Sequence, residues 1–426
     1  MSINSSLTDL RVVLQSIYGC DEKVILEQEN RYKKLSEEFE KKFGIIPEKF
    51  FSSPGRTELS GNHTDHNHGK VIAASINLDS IAAASPNNKE VVLYSEEFSE
   101  PFIVNLDDTE SVERERGSTS ALIRGVAAGF KNNGHSIGGF NAYISSDVLV
   151  GSGLSSSASI EVLIGTIFNH FYNNGNVSNK EIAIIGQYAE NNYFGKPCGL
   201  MDQLACAIGG IIGIDFNDPK NPIINQFEFD FNSTGYKLII VDTEANHAQL
   251  TGDYATIPDE MQQVARFFNK EYCSEISFDE LIERLKSLRG KISDRAILRA
   301  IHFLHENIRV DNQINALKKN DFEEFLRLVN ESGNSSYKYL QNIYSSENIE
   351  KQNLSLALAL TDIFIKEKGR GACRVHGGGF AGTIQVFIPE QFIEEYKSFM
   401  SKLLNEKSVK VLSIRDKGTL MLNNLH

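Results

Sequence analysis

A short segment rich in glycine and serine constrains the fold of this chain more than any other feature. Residues 149–159 read LVGSGLSSSAS and lie between a β-rich run and an apolar stretch that begins at Ile160. Glycines let a backbone approach a ligand closely, and the first turn of a helix offers free N–H groups to an anion. A flexible Gly/Ser linker is the alternative, but apolar residues follow at once. The segment therefore indicates a helix start inside a domain.

This segment predicts a phosphate-binding loop, in which three successive hydroxyls add hydrogen-bond donors and a candidate ligand for Mg²⁺. The predicted nucleotide-binding residues are Gly151, Ser152, Gly153, Leu154, Ser155, Ser156 and Ser157. The chain has no Walker A motif and lacks the loop set of the protein kinases. Any nucleotide chemistry therefore belongs to another superfamily.

A second polar cluster lies between two glycines, where residues 54–69 read PGRTELSGNHTDHNHG. One interpretation is a zinc site, for which His63, Asp65, His66 and His68 supply suitable ligands. Another is sugar recognition, because vicinal hydroxyls are bound by short carboxylate, imidazole and amide groups on a rigid loop. A solvated turn is the third. The segment alone leaves all three open.

Helical and strand-like patterns alternate along the whole chain, which predicts the α+β class. Residues 25–43 are typical of a surface helix that ends at Gly44. A long helical stretch is expected over residues 256–331. The Asn/Asp/Pro-rich stretch at 217–235 suggests a boundary between an N-terminal domain, 1–225, and a C-terminal domain, 226–426.

Composition excludes several classes of partner. The 43 basic and 56 acidic residues give a net charge of −13, so nucleic acid and anionic membranes are not expected partners. The longest uncharged apolar run, Leu204–Ile214, is about half of a bilayer span. No signal peptide is apparent, and the five cysteines form no CxxC pair. We expect a cytoplasmic protein with reduced thiols.

The two polar segments, in this order and with further motifs, resemble the galactokinases of the GHMP kinase superfamily. Residues 55–66 resemble that family's first motif, GRxNLIGEHTDY, and Gly151–Ser159 resemble its PxGxGLSSSAS motif. Residues 198–203, CGLMDQ, resemble its CGIMDQ element, and residues 374–382, RVHGGGFAG, its C-terminal glycine-rich motif. The resemblance runs from about residue 45 to the C-terminus. It implies two lobes, a mixed-sheet N-terminal lobe and a ferredoxin-like C-terminal lobe, with the active site between them.

The resemblance also implies roles for individual residues. Asp202 is the expected base near the sugar C1 hydroxyl, with Arg56 beside it, and Ser157 and Glu190 are the expected Mg²⁺ ligands. A carboxylate among Leu200, Met201, Leu204 and Ala205 is unusual without a function, although a helix N-cap is the simpler interpretation. The expected sugar-binding residues are Asn62, His63, Thr64, Asp65, Gly199 and Tyr254, and Ser95 is an expected nucleotide contact.

Several positions depart from the family's pattern. The family's Asn and Glu in the first motif are Glu58 and Asn62 here, so amide and carboxylate have exchanged places. His66 replaces the usual Tyr, Leu149 the usual Pro, and His376 and Ala381 replace Thr or Ser and Gly. Asn62 is still expected to bond a sugar hydroxyl, but without a charge.

The expected activity is ATP-dependent phosphorylation of α-D-galactose at C1, by direct transfer in a monomer. The Glu58/Asn62 exchange also keeps open another sugar 1-kinase, acting on N-acetylgalactosamine, a uronic acid or arabinose. A non-catalytic sugar and ATP sensor is a further alternative. Such a sensor would tolerate loss of Ser157, Glu190 or Asp202, yet all three are present.

Overall fold

The computed structural model describes residues 3–87, 89–148, 153–244, 251–346 and 348–422. Within these ranges the α-helices are α1 Ile3–Tyr18, α2 Glu22–Phe43, α3 Thr119–Asn132, α4 Ser156–Tyr172, α5 Asn179–Ala189, α6 Met201–Ile208, α7 Thr251–Phe267, α8 Phe278–Glu283, α9 Leu285–Arg289, α10 Asp294–Lys318, α11 Phe322–Ser335, α12 Asn353–Lys368 and α13 Ile393–Met400. The strands are β1 Lys49–Ser60, β2 Lys70–Pro86, β3 Glu90–Ser95, β4 Phe102–Asn105, β5 Phe140–Ser146, β6 Ile211–Asp215, β7 Ile223–Phe227, β8 Tyr236–Asp242, β9 Ala372–His376, β10 Thr383–Pro389, β11 Val409–Leu412 and β12 Leu420–Leu422.

The first sheet has the order β12-β1-β2-β5-β3-β4, and β6 joins β2 to β7. It is mixed, because β3 pairs parallel with β5 while the other pairs are antiparallel. Apolar residues of α3 to α6 form a core against one face of this sheet. Residues of α1 and α2 form a second core with β1, β2 and β5.

The second sheet is antiparallel with the order β11-β8-β10-β9. With the helices between β8 and β9 and between β10 and β11, it forms a β-α-β-β-α-β unit, which agrees with the expected ferredoxin-like arrangement. One apolar cluster contains Leu59 of β1, Val310 of α10 and Leu238 of β8. Because both sheets contribute to this core, it fixes the junction at which the candidate site lies.

The structure confirms the α+β class and refines its elements. Helix α2 ends at Gly44, whose φ of +69° lies in the left-handed region that glycine adopts without steric cost. The stretch expected to be one long helix, 256–331, falls into α7 to α11. Residues 54–60, expected to be a loop, are instead part of the buried strand β1.

The predicted boundary at 225/226 separates most strands of the two sheets. However, β12 returns to the first sheet, where Leu422 pairs with Phe50 of β1. The end of the chain therefore closes the N-terminal sheet. Within the described ranges, none of the helices has the length and hydropathy needed to cross a membrane.

Candidate active site

A bidentate ion pair between Arg56 and Asp202 forms the centre of the candidate site. Arg56 Nε and Nη2 each donate to a different carboxylate oxygen of Asp202 at 2.7 Å. Arg56 lies in β1 and is 7% exposed, whereas the side chain of Asp202, in the first turn of α6, is 29% exposed. Burial alone would lower the pKa of Arg56, but the Asp202 charge and hydrogen bonds raise it. The guanidinium thus stays charged and buried, while the carboxylate is partly exposed.

The end of the glycine/serine segment contacts this pair. Arg56 donates to the carbonyl of Gly153, and the hydroxyl of Ser155 donates to Asp202. Ser155 is the N-cap of α4 and has a φ of +61°. The Arg56 N–H also donates to the carbonyl of Leu154 at 3.1 Å, while the Leu154 side chain is buried in the core shared by the sheets. The first two motifs are therefore in direct contact.

Of the predicted nucleotide-binding residues, Gly151 and Ser152 lie outside the described residues, together with Leu149 and Val150. Ser156 is the first residue of α4. Ser95 is the last residue of β3, which runs parallel to β5, and its hydroxyl accepts from the Glu97 N–H at 3.4 Å. The carboxyl ends of β3 and β5 therefore lie at the same end of the sheet, and the chain continues from β5 toward the glycine/serine segment. Contact between Ser95 and a nucleotide stays a prediction.

Glu190 is the centre of a second polar group. It follows the last turn of α5 and is 2% exposed. Its Oε1 accepts from the Ser157 hydroxyl at 2.9 Å and lies 3.3 Å from the ammonium of Lys196. The two predicted metal ligands are therefore adjacent, and a lysine that the sequence did not single out lies beside them.

The second oxygen of Glu190 is held by Gln203, whose Nε2 donates to Glu190 Oε2 and to Glu161 Oε2 at 2.9 Å each. Glu161 is fully buried in α4. Burial, and secondly the Glu190 charge, raise the pKa of Glu161 well above its usual value. Sequence reasoning missed both residues, although polar side chains in the apolar helices α4 and α6 could have identified them.

The predicted sugar loop lies against the CGLMDQ segment. A side chain at Gly199 would overlap the carboxylate of Asp65, so only glycine permits this approach. His66 Nδ1 donates to Asp65 Oδ1 at 3.2 Å. Burial alone would raise the pKa of Asp65, but the hydrogen bond from His66 lowers it. The half-buried carboxylate of Asp65 therefore lies directly against the backbone of Gly199.

Three successive carbonyls of the C-terminal glycine-rich motif accept hydrogen bonds, two from this loop and one from Tyr254 of α7. The carbonyls of Gly377, Gly378 and Gly379 accept from Asn62 Nδ2 at 2.6 Å, His63 Nε2 at 2.8 Å and the Tyr254 hydroxyl at 2.7 Å, respectively. Burial, together with the neighbouring charge of His66, lowers the pKa of His63 to about 3. The imidazole is therefore neutral and donates through Nε2.

The side chains of two predicted sugar contacts, Asn62 and Thr64, lie in the interior. Asn62 is fully buried, and its Oδ1 accepts from Asn342 Nδ2 at 2.9 Å and the Ser336 hydroxyl at 3.1 Å. Thr64 is also fully buried, and its hydroxyl lies 2.6 Å from the Lys70 carbonyl and 2.9 Å from that of Gly61. Neither side chain is exposed to a ligand in the cleft.

The exchange of Glu58 and Asn62 has a structural explanation. Glu58 forms a buried ion pair with Arg374 of β9, and Asn62 bonds the Gly377 carbonyl that follows the same strand. The carboxylate at position 58 thus compensates a buried cation from the second sheet. Around His63–His68, the described residues include no group of three His, Cys, Asp or Glu able to hold a metal ion, so the zinc interpretation gains no support.

Comparison with known proteins agrees with this geometry. Residues 121–210 match the GHMP kinases N terminal domain, and residues 37–86 match the galactokinase galactose-binding signature. A galactokinase of Clostridium beijerinckii is 31% identical over 90% of this chain and 97% of its own. A galactokinase of Clostridium acetobutylicum is 30% identical over the same shares.

The fold has a similar relative among solved structures. A crystal structure of Lactococcus lactis galactokinase in complex with galactose superimposes with a TM-score of 0.78 and 26% identity, over 92% of this chain and 99% of that one. These matches extend along most of the chain, and they agree with the sequence motifs that meet at the Arg56–Asp202 pair. The chain belongs to the galactokinase family of the GHMP kinases.

Proposed function

We propose that this protein transfers the γ-phosphoryl group of ATP directly to the C1 hydroxyl of α-D-galactose. The observation that carries the proposal is the position of the Arg56–Asp202 pair. On one side Asp202 accepts from Ser155, the N-cap of α4, and on the other it lies three residues after Gly199, which packs against Asp65. A carboxylate between an anion-binding helix start and a sugar loop suits phosphoryl transfer between the two.

In this mechanism the C1 hydroxyl transfers its proton to Asp202 as its oxygen attacks the γ-phosphorus. The bond from the γ-phosphorus to the bridging β-phosphate oxygen breaks, and ADP leaves with that electron pair. Arg56 orients the carboxylate through two hydrogen bonds and places positive charge beside the transferring phosphoryl group. The free N–H groups at the start of α4 bind the phosphates. Asp65, the neutral His63, Gly199 and Tyr254 line the sugar side, where they fix the acceptor hydroxyl in line with the phosphate.

The residues at Glu190 fit a magnesium ion. Mg²⁺ takes hard oxygen ligands, usually one or two from the protein with phosphate oxygens and water completing the shell. The Ser157 hydroxyl and the Glu190 carboxylate lie 2.9 Å apart, and both would hold the ion. When bound, Mg²⁺ would neutralise charge on the β- and γ-phosphates. Gln203, which bonds the other oxygen of Glu190, keeps Oε1 directed toward the cleft.

Galactose is the preferred substrate over a charged sugar. The exchanged pair Glu58/Asn62, which kept a uronic acid open as a substrate at the level of sequence, lies inside the protein. There Glu58 pairs with Arg374 of β9, and Asn62 bonds the Gly377 carbonyl that follows this strand. Nothing in that exchange therefore selects for a substrate carboxylate. We further propose that the protein acts as a monomer in the cytoplasm.

The substitution Asp202→Asn tests the proposal. The amide is nearly isosteric but takes up no proton, so we expect kcat for galactose to fall by roughly 10²–10⁴-fold. Calorimetric titration should show galactose and an ATP analogue binding at near wild-type affinity. A variant that retains more than about a tenth of the wild-type turnover would exclude Asp202 as the base.

A further inference from the structure

In the machinery described so far, Arg56 is the one protein cation assigned to the phosphoryl group of the nucleotide. ATP brings several charges to a site that already contains Asp202 and Glu190. Arg56 is committed to Asp202 by a bidentate pair, and the sequence has no Walker A lysine. Within the described residues, the two carboxylates form ion pairs with two cations, Arg56 and Lys196. Lys196 is therefore the charge that the mechanism has not used.

The backbone around Lys196 is fixed while its side chain is free to move. Gly195 has a φ of +85°, and the N–H groups of Gly195 and Lys196 both donate to the Glu190 carbonyl, at 3.0 and 3.2 Å. The Cys198 N–H donates to Asn191 Oδ1 at 2.7 Å. The Lys196 side chain is nevertheless 64% exposed. A largely exposed side chain thus extends from a hydrogen-bonded turn, with its ammonium beside Glu190.

The Lys196 ammonium and the Ser157 hydroxyl bond the same oxygen of Glu190. Lys196 Nζ lies 3.3 Å from Glu190 Oε1, the same oxygen that accepts from Ser157. A magnesium ion on Ser157 and Glu190 would take over this oxygen and displace the ammonium by like-charge repulsion.

We propose that Lys196 is a catalytic residue that binds the terminal phosphates of ATP. When the metal occupies Glu190, the ammonium moves to a β- or γ-phosphate oxygen within the reach of its four-carbon side chain. There it forms a charge-assisted hydrogen bond and stabilises the charge that develops during transfer. This inference rests on the proposed function, since it assumes that ATP binds beside Ser157.

The test compares Lys196→Met and Lys196→Arg with a matched control, Lys237→Met. Lys237 also pairs with a glutamate, Glu390 at 3.7 Å, but it lies on β8 in the second sheet. Calorimetric titration in the presence of Mg²⁺ measures the binding of AMP-PNP and of AMP to each variant. Galactose titration and a thermal melt establish that each variant is folded.

Lys196→Met should weaken AMP-PNP binding by about tenfold or more, the change expected for a lost hydrogen bond to a charged group, and leave AMP binding unchanged. Lys196→Arg should recover most of the loss, and Lys237→Met should show none. Turnover of Lys196→Met with galactose should fall further than AMP-PNP affinity, because the contact strengthens as charge develops.

Unchanged AMP-PNP binding, or equal weakening for AMP, would overturn the proposal. Tighter Mg²⁺-dependent binding of AMP-PNP to Lys196→Met would also overturn it, since the lysine would then only compete with the metal. Failure of the proposed function is distinguishable. In that case the wild type would leave galactose unphosphorylated, whereas the difference between AMP-PNP and AMP would still report on Lys196.

Discussion

Replacing Glu58 with Gln tests whether the unusual carboxylate in the first motif serves the interior or the substrate. Glu58 is 5% exposed and Arg374 is fully buried. The substitution keeps the size of the side chain and an acceptor oxygen but removes the charge that compensates Arg374. Glu58→Gln should therefore lower the free energy of unfolding and leave sugar selectivity unchanged.

The contacts of Arg374 set the expected magnitude. Removing one partner of a buried ion pair costs about 3–5 kcal/mol. Arg374 would keep its hydrogen bonds to the carbonyls of Val375 at 2.9 Å and Leu59 at 3.2 Å, and the amide oxygen introduced at position 58 would offer a third neutral acceptor. We therefore expect a loss at the lower end of that range, about 3 kcal/mol.

Urea denaturation measures the loss, and kcat/KM for galactose and galacturonic acid measures selectivity. The control is Glu324→Gln, which breaks an exposed pair with Arg327 and should cost at most about 1 kcal/mol. The reasoning is refuted if Glu58→Gln unfolds at the wild-type urea concentration but changes the ratio of the two sugars. That result would place Glu58 against the substrate instead of against Arg374.

Two further predictions concern the metal and the sugar loop. Ser157→Ala removes the hydroxyl that, with the Glu190 carboxylate, forms the proposed Mg²⁺ site. The Mg²⁺ concentration for half-maximal rate should therefore rise, while galactose binding without nucleotide stays the same. An unchanged Mg²⁺ requirement would contradict the metal assignment. Gly199→Ala places a methyl group where the Asp65 carboxylate lies, so kcat/KM for galactose should fall roughly 10- to 100-fold. Gly290→Ala, where the nearest atom to the new methyl is 3.6 Å away, is the control and should retain activity.

The parts of this protein that could be predicted from sequence are those determined locally. Helix α2 has an N-cap aspartate, Asp21, and a glycine stop, Gly44, and the start of α4 follows from the serine run and the apolar residues after it. Strand β1 was missed because Pro54 and Gly55 are typical of a turn, yet tertiary pairing with β2 and β12 makes this segment a strand.

The environment of the first motif depends on residues far away in the chain. Asn342, which bonds Asn62, lies 280 residues further on, and Arg374, which pairs with Glu58, comes from the second sheet. A motif specifies which side chains lie on one loop but not which of them the other sheet covers. The same limit explains why Lys196 was missed, since only the fold brings its ammonium to the oxygen shared with Ser157.

His376 shows how the second sheet supports chemistry located on the first. Its Nε2 accepts from the Glu58 N–H at 3.3 Å and lies 3.1 Å from the Thr57 hydroxyl, and its Nδ1 lies 3.0 Å from the Thr383 hydroxyl. Burial and the charges of Arg56 and Arg374 lower the pKa of His376 well below its usual value, so the ring is neutral. Since a backbone N–H only donates, Nε2 is the acceptor and Nδ1 carries the proton.

The ring of His376 also lies close to Gly153, since a Cβ at Gly153 would be 3.3 Å from Nδ1. The carbonyls of the next two residues, Gly377 and Gly378, accept from Asn62 and His63 of the predicted sugar loop. One short segment at the end of β9 thus contacts both Gly153 and the predicted sugar loop. In the proposed in-line transfer the distance between phosphate and sugar matters, and this segment would help to set it. The buried polar contacts between the two sheets accordingly involve the residues of the first motif and of the C-terminal glycine-rich motif that depart from the family's pattern, Glu58, Asn62 and His376.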